Sequence, residues 1–308
     1  MLDVSLLGTG GMMPLPNRFL SSMILRLNGK MILVDCGEGT QVTLKKLGWG
    51  FKNIDAILFT HFHADHISGL PGMLLAIGNS GREEPLKLIG PKGLIYVVEG
   101  LRRIAQDIPY ESEYTELKDV CTEGMEVSGI IVKHLLLDHS VKCFAYTFEV
   151  KRKGAFDIGK AIKLNLPKPL WGVLQKQGQA MYEGRLYTDN MVLGEEREGI
   201  KVGFCTDSRP TALLAGFMKS SHLLICEGMY GEEDKLEKAR ENRHMIFSEA
   251  AQIAKDANAK ELWLTHFSPA LSNPEMFLDN AKRIFPNTKI GFDNIEKKIE
   301  FSGDTTDK

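Results

Sequence analysis

Three imidazoles and a carboxylate fall within six residues of this sequence, His61-Phe62-His63-Ala64-Asp65-His66. Imidazole nitrogens and carboxylate oxygens are the donors that suit zinc and similar borderline divalent ions. The cluster follows Ile54-Asp55-Ala56-Ile57-Leu58-Phe59-Thr60, an apolar run that reads as a buried strand. Extended backbone sends residues two apart to the same side, so His61 and His63 can grip one ion. Asp65 and His66 lie past the strand end, where the chain should curl into a helix, and can reach a second ion. Only eight histidines occur in 308 residues, so a chance polar loop is a poor account of three in one turn.

The remaining donors repeat one position. His139, Asp207, Glu227 and His266 each follow an apolar strand, as though one rim of a sheet sandwich carried the chemistry. Counting donors gives His61, His63 and His139 to one ion and Asp65, His66 and His266 to the other. Asp207, a carboxylate able to bridge, would hold the pair about 3.5–4 Å apart. Water on such a site loses a proton near neutral pH and becomes a nucleophile. Two ions also stabilise the entering and leaving oxygens of an in-line displacement, which makes phosphodiesters natural substrates. Asp65 could double as the proton acceptor that orients the nucleophile. His244, outside the ligand count, is left to protonate the leaving oxygen, oriented by Glu227. His134 and His222 sit at the edges of apolar strands and read as structural histidines.

These residues need a frame of short strands and helices to hold them. Leu2 to Leu7 reads as a strand closed by Gly8-Thr9-Gly10-Gly11, and Ser22 to Leu27 with Met31 to Asp35 as a β-hairpin about Asn28-Gly29. Asp35-Cys36-Gly37-Glu38-Gly39-Thr40 is then a tight turn. Helical spacing covers Ile67 to Ile77, Gly93 to Gln106 and Glu275 to Phe285, and Ser248 stands where a cap should begin another helix. Glu232 to Arg243 reads as a charged surface segment. Strands at Ile130 to Leu137, Cys143 to Val150, Lys201 to Cys205, Leu223 to Cys226, Glu261 to Thr265, Lys289 to Phe292 and Lys297 to Phe301 complete the alternation. The fold class is α/β.

Between Lys151 and Ala180 the composition shifts. Lys151, Arg152, Lys153, Lys160, Lys163, Lys168 and Lys176 face a single acid, Asp157, with Pro167, Pro169 and Trp171 among them. In a chain of formal net charge −2 this is a local basic excursion, a candidate arm for a polyanion or a solvated surface. A 43% hydrophobic and 25% charged composition is that of an ordinary globular protein. Five dispersed cysteines without a CxxC pair argue for reduced thiols in a cytoplasmic protein. No apolar stretch approaches the roughly 18 residues of a membrane span, and no secretory leader is legible at the N-terminus.

With these residues assembled, the chain resembles ribonuclease Z, the tRNA 3′-processing endonuclease family of the metallo-β-lactamase superfamily. The resemblance rests on Gly8-Thr9-Gly10-Gly11, Asp35-Cys36-Gly37-Glu38-Gly39-Thr40-Gln41 and Thr60 through Gly72. It continues through Asp138-His139, Asp207-Ser208-Arg209-Pro210, His244 and Leu264-Thr265-His266-Phe267-Ser268. It implies a metallo-β-lactamase-type αβ/βα four-layer sandwich, residues 1–308, carrying a basic arm insertion at 151–195 that grips tRNA. It also implies two Zn2+ ions per subunit, with Mn2+ or Fe2+ accepted, and a homodimer acting on precursor tRNA. Lys151, Arg152, Lys153, Lys160, Lys163 and Lys168 would then be substrate-binding residues. The expected reaction is removal of the 3′ trailer by metal-hydroxide attack, leaving a tRNA 3′-hydroxyl. The alternative keeps the dinuclear site but gives it a small phosphodiester such as a cyclic nucleotide.

Overall fold

In a computed structural model, which describes residues 1–121 and 123–302, the strands carry apolar side chains on both faces and two sheets bury them. The first sheet takes strands β1 (Leu2–Gly8), β2 (Ser22–Leu27), β3 (Lys30–Val34), β4 (Ile54–Leu58), β5 (Leu86–Gly90) and β6 (Ser112–Glu116). The second opens with β7 (Met125–Val127), β8 (Ile130–Leu136) and β9 (Phe144–Arg152). After an inserted hairpin, β10 (Gln179–Tyr182) and β11 (Arg185–Thr188), it continues with β12 (Arg197–Cys205), β13 (Leu223–Glu227), β14 (Leu262–Thr265) and β15 (Thr288–Ile290). The final strand, β16 (Glu296–Ile299), returns to the first sheet. The sheet orders are β16-β1-β2-β3-β4-β5-β6 and β15-β14-β13-β12-β9-β8-β7.

Side-chain parity shows which face meets what. Leu33, Ile57 and Leu88 pack outward on Leu44, Met73, Leu74 and Ile77 of the helices Thr40–Leu47 and Leu70–Asn79. Leu224, Cys226, Leu262 and Leu264 pack outward on Phe247, Ala250, Ala251 and Ala254 of the helix Phe247–Asp256. The alternate residues, among them Ile32, Val34, Leu58, Phe144, Tyr146, Phe204 and Trp263, are buried between the sheets. Tyr146 Oη donates to the Phe59 carbonyl at 2.6 Å, tying the second sheet to the strand that precedes His61. The order helix, sheet, sheet, helix is the expected four-layer α/β sandwich.

Lys151–Gly199 with Phe301 and Ser302 forms a second compact unit. Asp157 caps the helix Ile158–Lys163 by accepting the Lys160 N–H at 3.0 Å, and Gly178 ends the helix Lys168–Gln177 at φ 76°. Ala161, Leu166, Leu174, Ala180, Tyr187 and Val192 make its core, roofed by Trp171, whose indole N–H donates to the Leu166 carbonyl. A stretch with weak periodicity thus has a small core of its own. Lys151, Lys153, Lys160, Lys163 and Lys168 are exposed and Arg152 is half-buried. Within the unit Lys153 pairs with Asp189 at 2.5 Å, and Lys160 Nζ donates to the Leu193 carbonyl.

Several local expectations need correction. The helix expected from Ile67 to Ile77 is two pieces, Ala64–Ile67 and Leu70–Asn79. Tertiary backbone bonds interrupt it: the Gly69 N–H donates to the Cys36 carbonyl (2.9 Å), and the Cys36 N–H to the His66 carbonyl (2.7 Å). Ser248 is no cap; the helix begins at Phe247, the Glu249 carboxylate accepts the Ile246 N–H, and Ser248 Oγ donates to Glu233. Glu232 to Arg243 contains the helix Leu236–Asn242, anchored by buried Ala239. Glu275 to Phe285 is a 3-10 turn, Pro274–Phe277, followed by the helix Leu278–Lys282. No strand is expected from the sequence at β6, β7, β10 or β11, the first because Ser112–Glu116 carries almost no apolar side chains.

Candidate metal centre

The donors gather where strands end. β4 runs out before His61, β8 before His139, β12 before Asp207 and β14 before His266, while Glu227 is the last residue of β13. Because β12, β13 and β14 are mutually parallel, their C-terminal ends come to one rim. Asp207 and His266 turn off their strands at φ 32° and 59°, left-handed values costly for non-glycine residues. That backbone strain aims both side chains back into the rim.

Three groups result, His61, His63, His139 and Asp207, then Asp65, His66 and His266, and a third in which His244 joins Asp207 and His266, the donor atoms of each lying within 4.8 Å of one another. Asp207 faces the first two. Its Oδ2 lies 3.6 Å from His61 Nε2 and 3.7 Å from His139 Nε2. Its Oδ1 lies 3.2 Å from His66 Nε2 and 3.1 Å from His266 Nε2. Asp65 Oδ2 is 3.3 Å from His266 Nε2 and 3.7 Å from His66 Nε2. His63 enters through Nδ1, at 3.0 Å from His61 Nε2 and 3.3 Å from His139 Nε2.

Hydrogen bonds behind the rings fix which nitrogens face inward. His66 Nδ1 donates to Asp35 Oδ2 at 2.7 Å. Thr60 Oγ1 donates to the same carboxylate at 2.8 Å, so its oxygen is left to accept from His61 Nδ1 at 3.0 Å. His139 Nδ1 faces the Arg243 carbonyl at 3.3 Å. With those protons committed, the Nε2 atoms of His61, His66 and His139 present lone pairs inward. They converge on carboxylate oxygens and on other imidazole nitrogens, with Ser140 Oγ 3.4 Å from His139 Nε2, and Asp207 Oδ1 is buried with no hydrogen-bond partner among the described residues. Converging lone pairs and anionic oxygens repel unless a cation sits between them. This donor set therefore fits a metal ion.

The titration behaviour has the same origin. Burial opposes charge on His66, but the Asp207 and Asp35 carboxylates outweigh it and hold the imidazole well above its usual value. Burial likewise opposes charge on Asp207, and the facing His266, His66 and His61 pull its carboxyl well below the usual range. His61 goes the other way, because burial and the neighbouring His66 disfavour its charged form.

His244 stands beside the ligand groups rather than within a strand end. Its Nδ1 lies 3.2 Å from Glu227 Oε2 and 3.3 Å from Oε1. Glu227 is fully buried and also accepts the Ser208 N–H at 2.6 Å and the Met245 N–H at 3.1 Å. Burial would lower the His244 pKa, but Glu227 by charge and hydrogen bond, then Asp207 and Asp65, raise it to about 9. The His244–Ile246 segment is clamped by Arg209, which donates to the His244 carbonyl at 2.5 Å and pairs bidentately with Glu249. Met245 and Ile246 are buried. The open side of the centre is a cavity of about 280 Å3 that reaches His63, Asp65, His139, Asp207, His244 and His266.

Comparison with known proteins agrees with this geometry. Ribonuclease Z of Clostridium acetobutylicum is 52% identical over 306 residues, covering 98% of this chain and 99% of its own. Ribonuclease Z of Clostridium kluyveri is 53% identical over 301 residues, with 98% and 99% covered. The chain belongs to the ribonuclease Z family. Among solved structures, the short form of human tRNase Z superposes with a TM-score of 0.69 at 23% identity, covering 97% of this chain and 100% of that one. YhfI of Bacillus subtilis, a metallo-β-lactamase fold protein, gives 0.68 at 20% identity, covering 96% and 98%. Both show the metallo-β-lactamase fold. A family model described as anti-Pycsar protein Apyc1 matches residues 2–122, less than half of the chain.

Four contacts of this ribonuclease Z centre escaped the sequence reading. From the sequence Asp35 is a strand end, a turn residue and part of a family motif, and Thr60 a strand end within another, with no role at the centre assigned to either, while the Arg243 carbonyl and Met12 N–H have no side-chain signature. The Met12 N–H donates to Asp65 Oδ2 at 2.7 Å. The polar Asp35 directly after the apolar run Met31 to Val34 was the one available clue. Gly11 matters for space: a Cβ there would stand 2.8 Å from His266 Cε1 and 2.9 Å from Nε2. Gly11→Ala is expected to displace the His266 ring and weaken metal affinity about 10- to 100-fold, as loss of ligand orientation does elsewhere. Metal titration of the folded variant checks this; wild-type affinity would show that the ring has room to move.

Proposed function

We propose that this ribonuclease Z-family chain is a metal-dependent endoribonuclease that removes the 3′ trailer from precursor tRNA. The observation that carries the reading is the one carboxylate, Asp207, facing two imidazole groups through its two oxygens, beside the buried Glu227–His244 pair. His61, His63 and His139 would hold one ion and Asp65, His66 and His266 the other, with Asp207 shared between them. Two Zn2+ ions are the expected occupants, and Mn2+ or Fe2+ are accepted by the same donors. Such ions, when bound, supply Lewis acidity that polarises a phosphoryl oxygen and makes water nucleophilic near neutral pH.

The chain's own groups do the rest. Asp65, fixed by the Met12 N–H, orients the attacking water and takes its proton. His244, kept protonated by Glu227, gives a proton to the departing O3′ as its bond to phosphorus breaks. Water oxygen is thereby added to phosphorus, so the tRNA leaves with a 3′-hydroxyl and the trailer with a 5′-phosphate. The basic residues Lys151, Arg152, Lys153, Lys160, Lys163 and Lys168 of the inserted unit are proposed to contact tRNA phosphates. Membership of the ribonuclease Z family is the support for reading the chain as a cytoplasmic homodimer. Among the described residues no helix is long and apolar enough to cross a membrane.

Purified protein incubated with a precursor tRNA carrying a 3′ trailer is expected to release trailer-length product. Chelation should abolish release and added Zn2+ restore it. Absence of product at every metal concentration overturns the assignment. Hydrolysis of a cyclic nucleotide under the same conditions would favour the small-substrate alternative instead.

A further inference from the structure

The cavity over the metal centre is walled by carboxylates and imidazoles, yet its proposed substrate is a polyanion. One ammonium group relieves that imbalance. Among the described residues Lys238 is the single lysine or arginine that lines the cavity, where Asn242 and Tyr230 accompany it. It comes from the helix Leu236–Asn242, held down by buried Ala239 against the cluster of Met229, Tyr230 and Ile246. Positions 238 and 242 are four apart and share a face. Asn242 Nδ2 donates to Tyr230 Oη at 3.2 Å, leaving the phenol proton to donate elsewhere. Lys238 Nζ lies 5.4 Å from the centroid of the Tyr230 ring, a cation–π contact that keeps it over the cavity side of the helix. Its neighbour Arg240 is neutralised by Glu237 at 2.6 Å. No carboxylate within ion-pair distance of Lys238 is found among the described residues.

We propose that Lys238, with the Asn242 amide and the Tyr230 hydroxyl beside it, forms a subsite for a backbone phosphate of the RNA strand next to the scissile one. The inference rests on the reading of this centre as an RNA phosphodiesterase. The scissile phosphate has the metal groups and His244 to meet it. An adjacent phosphate threading the same cavity meets carboxylates unless a cation receives it, and an unpaired ammonium on a flexible stem serves as that point charge. Lys238 here acts on binding and register, so its removal should appear in KM more than in kcat.

In the cleavage assay, Lys238→Ala is expected to lower kcat/KM by about 10- to 100-fold, mostly through KM, and Lys238→Arg to recover most of it. Its plot of log kcat/KM against log salt should be shallower by about 0.7 to 1, the loss of one phosphate contact. Lys235→Ala, on the same segment but outside the cavity wall, should behave as wild type. A neutral methylphosphonate placed linkage by linkage beside the cleavage point should impair wild type at one position and cost Lys238→Ala nothing further there. Unchanged KM and salt slope in Lys238→Ala, with wild type active, overturn the proposal. Should wild type fail to cut precursor tRNA, the activity reading falls, and the subsite is judged by binding. Equal affinity of wild type and Lys238→Ala for a single-stranded RNA across the salt series then overturns it. An unaltered melting curve for Lys238→Ala separates the effect from folding, since the side chain is exposed.

Discussion

Asp207→Asn is expected to leave a folded protein that has lost most of its metal affinity and about 10^3-fold or more of its activity. The side chain keeps its volume, so the rim should keep its packing. What changes is charge and the number of anionic oxygens. Asp207 offers Oδ2 to His61 and His139 and Oδ1 to His66 and His266, all between 3.1 and 3.7 Å. An amide can present one oxygen to one of these groups, while its NH2 points donors at the other. The second group then has a positive edge where it needs an anion. A 10^3-fold loss corresponds to roughly 4 kcal/mol of transition-state stabilisation. Metal content after dialysis and single-turnover cleavage measure the two consequences separately. Full metal occupancy with wild-type turnover would remove Asp207 from the shared position.

Glu227→Gln is expected to move the alkaline limb of the pH–rate profile to lower pH and to deepen the rate loss as pH rises. The sign follows from the opposed contributions on His244. Burial favours the neutral ring, and the charges and hydrogen bond around it, Glu227 foremost, raise its pKa to about 9. Ions at the centre would offset the smaller help from Asp207 and Asp65, so Glu227 is the contribution that persists in the loaded enzyme. Without that charge burial acts unopposed, and the imidazolium needed at the leaving oxygen becomes scarce at neutral pH. The raised pKa also means that His244 stabilises the fold fully below about pH 6.5, its unfolded value, and loses that contribution as pH rises through about 9. His244→Ala, which removes the donor outright, should cost about 10^2- to 10^4-fold while the wild-type ring is protonated and progressively less as pH rises above about 9. An unshifted alkaline limb in Glu227→Gln would show that His244 is not the proton donor. The Ser208 N–H donates to Oε1 and the Met245 N–H to Oε2, so glutamine keeps an acceptor for only one of them, and melting temperature must be recorded alongside.

The elements that carry the donors were the easiest to read, for a definite reason. β13, β14 and the C-terminal ends of β4 and β12 are buried on both faces, so their apolar runs are unbroken there and each polar residue that follows marks a strand end. Elements held by tertiary contacts were harder. The stretch 64–79 has one helical apolar pattern yet folds as two helices, because backbone bonds to Cys36 replace the ladder at Gly69. Lys151–Gln177 has little periodicity because its core is only a few side chains wide. Ser248 has the side chain of a cap, but capping depends on where the chain enters the helix, and Arg209 and Glu249 fix that entry two residues earlier, at Ile246.

Sequence alone supplies the types of donor and the strand ends that bear them, because ligand chemistry and strand parity are local properties. Tertiary structure decided what turns those donors into a directed site. Asp35 lies 31 residues from His66, yet its carboxylate selects the His66 tautomer and, through Thr60, that of His61. The Arg243 carbonyl does the same for His139 from 104 residues away. Tautomer, ring direction and the Lys238 wall of the cavity depend on atoms brought together by the pairing of β3 with β4 and by the seating of the helix Leu236–Asn242 beside the rim. No local pattern in the chain encodes those distances.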